Sequence, residues 1–331
     1  MNDPDRTSRL PHRRELLAAG LGAFIVATIP FARRDRRRIV RRTLPVMAST
    51  AEFTIVHVDA MYAERAIDAA MAELARVERL MTRFQSTSDI GRANAYAARA
   101  PVTVSRETQT VIEEALRWAS ASDGAFDPGV GRVVELWDVA NRHEPPAPVQ
   151  VRRLEGQRFY RHIQSGVEKG TPAVFFTSQE VHLDLGGIAC GYAVDLVIDS
   201  LRRWGIRDAL VNVSGDIFAL GHAPDGSPWR IGIRSPVDAR AVIAEVELTD
   251  RAIATSGDYE QFFMYRGTRY HHLMDPGRAA PRRSPVHTVT VVADRCSDAD
   301  AASTAVFGME PAAARLLLSV RSPGAWVVSQ T

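Results

Sequence analysis

Cysteine is nearly missing from this 331-residue chain, with Cys190 and Cys296 its only two. Two thiols are too few for a disulfide scaffold. Neither ends the amino-terminal apolar run, so a lipoprotein anchor has no attachment point. Lysine is scarcer still: Lys169 stands alone in an otherwise all-arginine set of cations. A long hydrophobic run is also lacking, because the uncharged stretch from Leu16 to Ala32 is shorter than the ~20 residues of a standard membrane span. Finally, the body carries no excess of positive charge. The first 42 residues hold 11 Arg against Asp3, Asp5, Glu15 and Asp35, which is +7, so the overall +2 leaves −5 for the remainder. Binding to nucleic acid requires clustered cations on the folded part, and that class is excluded. What is present, 46% hydrophobic and 24% charged residues, is enough to bury a real core and rules out a disordered chain.

The amino terminus reads as a targeting segment. "HRRELLAAGLGAFIVATIPFA" places Arg13 and Arg14 before two leucines and an Ala/Gly-rich apolar stretch, the pattern of a twin-arginine export signal. The "RRDRRRIVRR" that follows would favour a cytoplasmic position, so an inner-membrane tether stays open beside export. Residues 1–42 are therefore expected to be signal or anchor with an Arg-rich tail, residues 43–331 the folded domain, and the location the periplasm.

From Thr43 the patterns mix. "AEFTIVHV" reads as a strand, and Ile67, Ala70, Met71, Leu74, Val77 and Met81 recur at helical spacing, predicting a helix to about Arg83. A second helix is expected near Val111 to Ala119. "EPPAP", Glu144 to Pro148, opens a polar excursion to about Gly170, read as an insertion or a subdomain seam. "AVFFTS" and "EVHLDL" read as strands, followed by a helix from about Tyr192 to Trp204. "ALVNVSG", "WRIGIR", "VIAEVEL", "QFFMYRG" and "HTVTVVAD" add short strands. The expected class is α+β with much antiparallel sheet.

Several stretches can carry chemistry. In "DLGGIACGYAVD", Asp184 to Asp195, Gly186 and Gly191 have P-loop spacing, but Tyr192 and Ala193 replace the required Lys and Ser/Thr, so a nucleotide-triphosphate loop is excluded. A structural strand-to-helix turn and an anion cradle of backbone N–H groups both remain open. In "CSDADAASTAVFGM", Asp300 and Thr304 are four apart, placing two oxygens on one face of a helix. That suits a hard cation, or else a capped amphipathic helix with Asp298 as cap. "GAFDPGVG", "VNVSGD", "ATSGDYE" and "HHLMDP" combine glycine or proline with acids, hydroxyls or histidine. Strand alternation in "HHLMDP" would put His272 and Met274 on one face and His271, Leu273 and Asp275 on the other.

Together, "DLGGIACGYAVD", "VNVSGDIFALG", "WRIGIRSP", "AIATSGDYEQFF", "RYHHLMDP" and "DADAASTAVF", preceded by "MTRFQSTSDIGRANA" and "GAFDPGVGRVVELW", resemble the ApbE family of FAD:protein FMN transferases. The resemblance runs from about Met47 to Met309. It implies a T-fold-like α+β domain of mixed, largely antiparallel sheets with flanking helices, binding FAD in a cleft between two subdomains. It implies Mg²⁺-dependent cleavage of FAD at its pyrophosphate, transfer of FMN to a Ser or Thr hydroxyl of an acceptor flavoprotein, and release of AMP. The alternatives are a FAD pyrophosphatase and a non-catalytic FAD-binding accessory protein for a respiratory enzyme.

By the same resemblance, Asp300 and Thr304 match the metal-binding pair, with Gly187 supplying a carbonyl. Met47, Phe84, Ala125, Phe126, Asp127, Asp184 and Cys190 match cofactor contacts. His272 matches the histidine near the reacting phosphate and is the candidate to deprotonate the acceptor, with Asp300 the other catalytic residue. The chain departs from the pattern at Phe84, where Tyr is common, and at Cys190, where Lys or Glu is usual. It departs again at Ser214 in the usual "GGD", and at "DPGRA", Asp275 to Ala279, in place of "DPxTG".

Overall fold

A computed structural model describes residues 24–26, 37–47, 49–238, 240–322 and 324–330. The expected export signal, including Arg13 and Arg14, lies outside the described residues except for the short strand Phe24–Val26, whose backbone pairs antiparallel with Trp229–Arg234. Among the described residues, no helix is long and apolar enough to cross a membrane.

Seven strands form the central sheet. Across it they run Trp326–Gln330, Thr288–Ala293, Arg251–Gly257, Asp216–Leu220, Asp208–Val213, Ser49–His57 and Arg38–Val46. Each neighbouring pair is antiparallel, as the α+β reading expected. The edge strand Arg38–Val46 pairs with Ser49–His57 from Arg38 opposite His57 to Val46 opposite Ser49. The folded body thus begins ahead of Thr43, and part of the Arg-rich tail belongs to it. Arg42 from that tail reaches Asp68 at 2.5 Å and Glu64 at 3.4 Å on the following helix. Exposed arginines along an edge strand also discourage pairing with another chain.

One face of the sheet is covered by three helices. The first, Ala60–Met81, buries Ile67, Ala70, Leu74, Val77 and Met81 of the spacing read from sequence, with Met71 half-buried. It starts where Asp59 Oδ1 accepts the Tyr62 N–H at 3.1 Å and stops at Thr82, whose backbone is extended. It packs on Ala189–Arg203, which in turn packs on Cys296–Val306. Burying each large aliphatic side chain there contributes roughly 1.5–3 kcal/mol. On the opposite face, Val56, Leu210, Ile217 and Val292 meet Trp229, Ile231, Ile233 and Val246 of the hairpin Trp229–Arg234 and Val242–Leu248. The result is three layers, with the main core between the sheet and the helices.

One local expectation gains detail and another changes. The excursion after "EPPAP" is built structure. It forms the helix Pro148–Leu154, a 3₁₀ turn at Phe159–His162 and the strand Ile163–Glu168, paired with Thr171–Phe176. The run "EVHLDL" is not a strand. Its one ladder contact is a parallel bridge between His182 and Val130. The side chain of Asn94 stands in for a neighbouring strand, accepting the Leu183 N–H at 2.6 Å and donating to the Leu183 carbonyl at 2.9 Å.

Candidate active site

"DLGGIACGYAVD" answers its own ambiguity in the structure. The helix begins at Ala189, three residues earlier than expected, so Gly191 lies inside its first turn. A Cβ on Gly191 would lie 2.4 Å from the Cys296 carbonyl oxygen, so glycine is required for close helix approach. Four nearby N–H groups are already engaged. Gly186 donates to Asp184 Oδ1 at 2.9 Å, Ile188 and Ala189 donate to the Leu185 carbonyl, and Gly191 donates to Asp300 Oδ2 at 3.1 Å.

The two helices grip each other reciprocally. Asp195 of the first accepts the Cys296 and Ser297 N–H groups at 2.7 and 3.1 Å and the Ser297 hydroxyl at 2.6 Å. Asp195, not Asp298, therefore caps the helix Cys296–Val306. Asp300 of the second helix returns the contact through Gly191.

That grip fixes the candidate metal residues. Asp300 is buried, as is Asp216, the acid of "VNVSGD", and the two carboxyls lie close enough for each to perturb the other. Desolvation, then the charge of Asp216, holds the Asp300 pKa well above the carboxylate range, and desolvation raises Asp216 to about 7. Thr304, one turn on, lies 3.5 Å from the Ser256 hydroxyl, which also meets Ser303 at 2.8 Å. A Cβ on Gly187 would sit 3.1 Å from Thr304 Oγ1 and 3.2 Å from Phe126, so Gly187, Thr304 and the Phe126 ring adjoin. No cluster of three or more His, Cys, Asp or Glu side chains fit for a metal occurs among the described residues. The donors are one carboxylate, one hydroxyl and backbone carbonyl, all hard oxygens. A sparse oxygen set of that kind fits Mg²⁺, which keeps waters and shares substrate phosphate oxygens. A cation would also neutralise the buried carboxyl pair.

The remaining candidates divide between a rim and a framework. Phe84 is 80% exposed, and the Arg83 guanidinium lies 4.3 Å from its ring centre. Arg83 Nε also reaches Asp184 at 3.0 Å, so one arginine joins two candidate contacts a hundred residues apart. Met47 follows the edge strand in the left-handed region, φ 49°, packed partly on the core. Asp127 is occupied by the turn itself: it accepts the Gly129 N–H at 2.8 Å and the Tyr160 N–H at 3.1 Å. Burial raises its pKa to about 7. Its carboxyl thus shapes the turn that carries Ala125 and Phe126. Backbone bonds from Asp184 to Pro128 and from Gly131 to His182 lock that turn to the "DLGG" segment. Cys190 donates to the Val213 carbonyl at 3.3 Å. Its thiol is pushed well above its usual pKa by desolvation, then by Asp216 and Asp300, and so is neutral and inert.

The "HHLMDP" alternation does not survive. His271 ends one strand, and Met274–Asp275 begins another. The buried His271 ring accepts the Leu273 N–H at 3.2 Å and donates to the Arg282 carbonyl at 2.8 Å, so the chain kinks there. Leu273 and Met274 are consecutive and both buried, and His272 before them is half-buried. His272 Nδ1 donates to the Gln261 carbonyl at 3.4 Å, leaving Nε2 as the basic nitrogen. Burial lowers its pKa to about 4, so it is neutral at physiological pH.

Sequence reasoning missed Arg83, Asp216, Asp195 and Arg282. It also missed the group in which Asp258 accepts from Arg269 and His287, both at 2.8 Å. Asp216 and Asp195 stand inside quoted motifs, and an acid without a surface role was the available signal.

The arrangement is an α+β domain of largely antiparallel sheet with flanking helices, in which Thr304, Gly187 and Phe126 meet one helical turn from the buried Asp300. This chain belongs to the ApbE family, whose model matches residues 47–327. It is similar to the FAD:protein FMN transferase of Vibrio cholerae, 35% identical over 237 residues, 71% of each chain. A second relative, the FAD:protein FMN transferase of Treponema pallidum, is 35% identical over 255 residues, 73% of this chain and 70% of the relative. Among solved structures, the flavin transferase ApbE from Vibrio cholerae superposes with a TM-score of 0.76 at 30% identity, covering 88% of this chain and 93% of that one.

Proposed function

We propose that this protein transfers FMN from FAD to a Ser or Thr hydroxyl of an acceptor flavoprotein, with Mg²⁺ held by Asp300, Thr304 and the Gly187 carbonyl. The observation that carries this reading is the meeting of Thr304, Gly187 and Phe126 one helical turn from the buried Asp300. When bound there, the cation supplies charge neutralisation for a pyrophosphate. The chain does the rest. Phe84, backed by Arg83, offers a face for the isoalloxazine, and the Asp127-shaped turn sets Phe126 beside Gly187. His272 Nε2 takes the proton of the acceptor hydroxyl as the new P–O bond forms, and the bond between the two phosphates breaks to release AMP. A base with a pKa near 4 is already deprotonated at neutral pH, though weak, so its contribution rests on positioning.

The test incubates the purified full chain with FAD, Mg²⁺ and a candidate acceptor, reading intact mass and free AMP. Acceptor mass raised by one FMN, with equal AMP, is the expected result. FMN and AMP without acceptor modification would replace transfer by hydrolysis, and intact FAD with every metal and acceptor would leave a binding protein. The paired Arg13 and Arg14 support export by the twin-arginine route to the periplasm. Changing both to Lys should retain a reporter fused to residues 1–42 in the cytoplasm.

A further inference from the structure

One side chain outside the motifs of the sequence reaches three parts of the site at once. Arg282 follows the short strand Ala280–Pro281, seven residues beyond Asp275. Its Nε donates to the Met274 carbonyl at 2.9 Å. Nη1 donates to the Thr304 carbonyl at 3.0 Å, the Ala305 carbonyl at 3.4 Å and the Phe307 carbonyl at 2.6 Å, and Nη2 donates to the Ala125 carbonyl. Its own backbone closes the circle, since the Arg282 N–H donates to the Leu273 carbonyl at 2.9 Å and its carbonyl accepts from His271.

These partners come from three stretches far apart in the chain. Ala125 heads the turn that carries Phe126 and Asp127. Met274 lies two residues past His272. Thr304 to Phe307 form the carboxyl end of the helix bearing Asp300 and Thr304. A cation at that end also complements the partial negative charge of the unpaired carbonyls. Only a guanidinium presents enough donors, in a fixed plane, to meet three backbones at once. A lysine ammonium has three donors on one atom and cannot span them.

We infer that Arg282 is the positioning residue of this active site, setting the flavin-contact turn, the His272 loop and the metal helix in register. The inference rests on the flavin-transfer reading for the meaning of those three segments, but not for their connection. Because Arg282 reaches the reacting groups only through backbone carbonyls, its loss should act on all three segments together and leave the opposite face of the sheet untouched.

The experiment uses the full chain with R282K and R282A, followed by amide hydrogen exchange, thermal melting and FAD titration by flavin fluorescence. Expected is a cooperative melt for R282K, exchange accelerated at residues 124–127, 272–275 and 304–307 and unchanged in the strand Trp229–Arg234, and FAD affinity weakened about 10- to 100-fold. Millimolar guanidinium should restore part of the FAD affinity of R282A, which a generic loss of stability would not permit. Wild-type exchange at the three segments, or protection lost evenly through the whole core in both variants, would overturn the inference. These readouts need no turnover. A wild type that binds FAD but never modifies an acceptor would defeat the proposed reaction and leave Arg282 in its role.

Discussion

Around Asp300 the site is enclosed and its polar atoms are engaged; around Phe84 it is open. Asp300 is 7% exposed and accepts the Gly191 N–H beside the buried Asp216, and nearby the Ser256 hydroxyl bonds both Ser303 and Thr304. Phe84 is 80% exposed, with Arg83 as the cation against its ring. Under the proposed function, the contrast separates two tasks. Neutralising a pyrophosphate needs oxygens fixed before the ligand arrives, because reorganisation at the moment of reaction would cost rate. Holding a large aromatic ring needs a surface that the ligand itself will cover, so exposure there costs the folded protein little. The inner region should accordingly govern turnover, and the rim should govern affinity.

Asp300→Ala should have the largest effect. Transfer of FMN, followed as AMP release, should fall about 10²- to 10³-fold or more, as when a preorganised electrostatic group is removed. FAD affinity measured without metal should change far less. Equal losses in both would erase the division between the two regions. Phe84→Ala should do the reverse at the rim. Removing one stacking face should weaken FAD binding roughly 3- to 10-fold while leaving the melting temperature unchanged. A clear fall in melting temperature would mean that Phe84 is structural despite its exposure.

The framework between the regions can be probed by pH. Asp127 has a folded pKa raised to about 7, against an ordinary carboxylate value when unfolded. The native state therefore holds the proton more tightly. Its contribution to stability is fully present at low pH and declines as pH rises from about 4 through 7. Asp127→Asn should flatten that part of the melting profile relative to wild type. An unchanged difference across this range would show that Asp127 titrates normally.

How much could be read beforehand follows the same physics. The helix Ala60–Met81 was legible because burial on one face repeats every turn, and Asp300 with Thr304 because a helix turns their spacing into adjacency. "EVHLDL" misled because alternation marks a segment buried on one side, whatever supplies its partners, and here Asn94 replaces a strand. "HHLMDP" misled because the His271 ring bonds a backbone N–H two residues on and breaks the pleat. Arg83 and Arg282 carry no local signal at all. Each is one arginine among many in a nearly lysine-free chain, and its importance arises only when distant backbone segments converge on it.

The smallest expected effect concerns a departure from the family pattern. In "DPGRA", Ala279 occupies the place where the resemblance puts glycine, and its φ of 47° lies in the left-handed region. The turn is held there by its surroundings. Trp137 Nε1 donates to the Ala279 carbonyl at 2.7 Å, and the Arg278 N–H donates to Asp275 Oδ1 at 3.1 Å. A methyl group in this conformation costs about 1–2 kcal/mol, partly offset by the greater unfolded-state freedom that glycine would bring. Ala279→Gly should therefore stabilise by about 0.5–1 kcal/mol, a rise of about one to three degrees in melting temperature. Because the hydrogen bonds already impose the turn, FAD affinity and transfer rate should not change. A rate that rose with the glycine would instead show that strain at Ala279 reaches His272 along the chain, and that the rim and the interior are coupled through this turn.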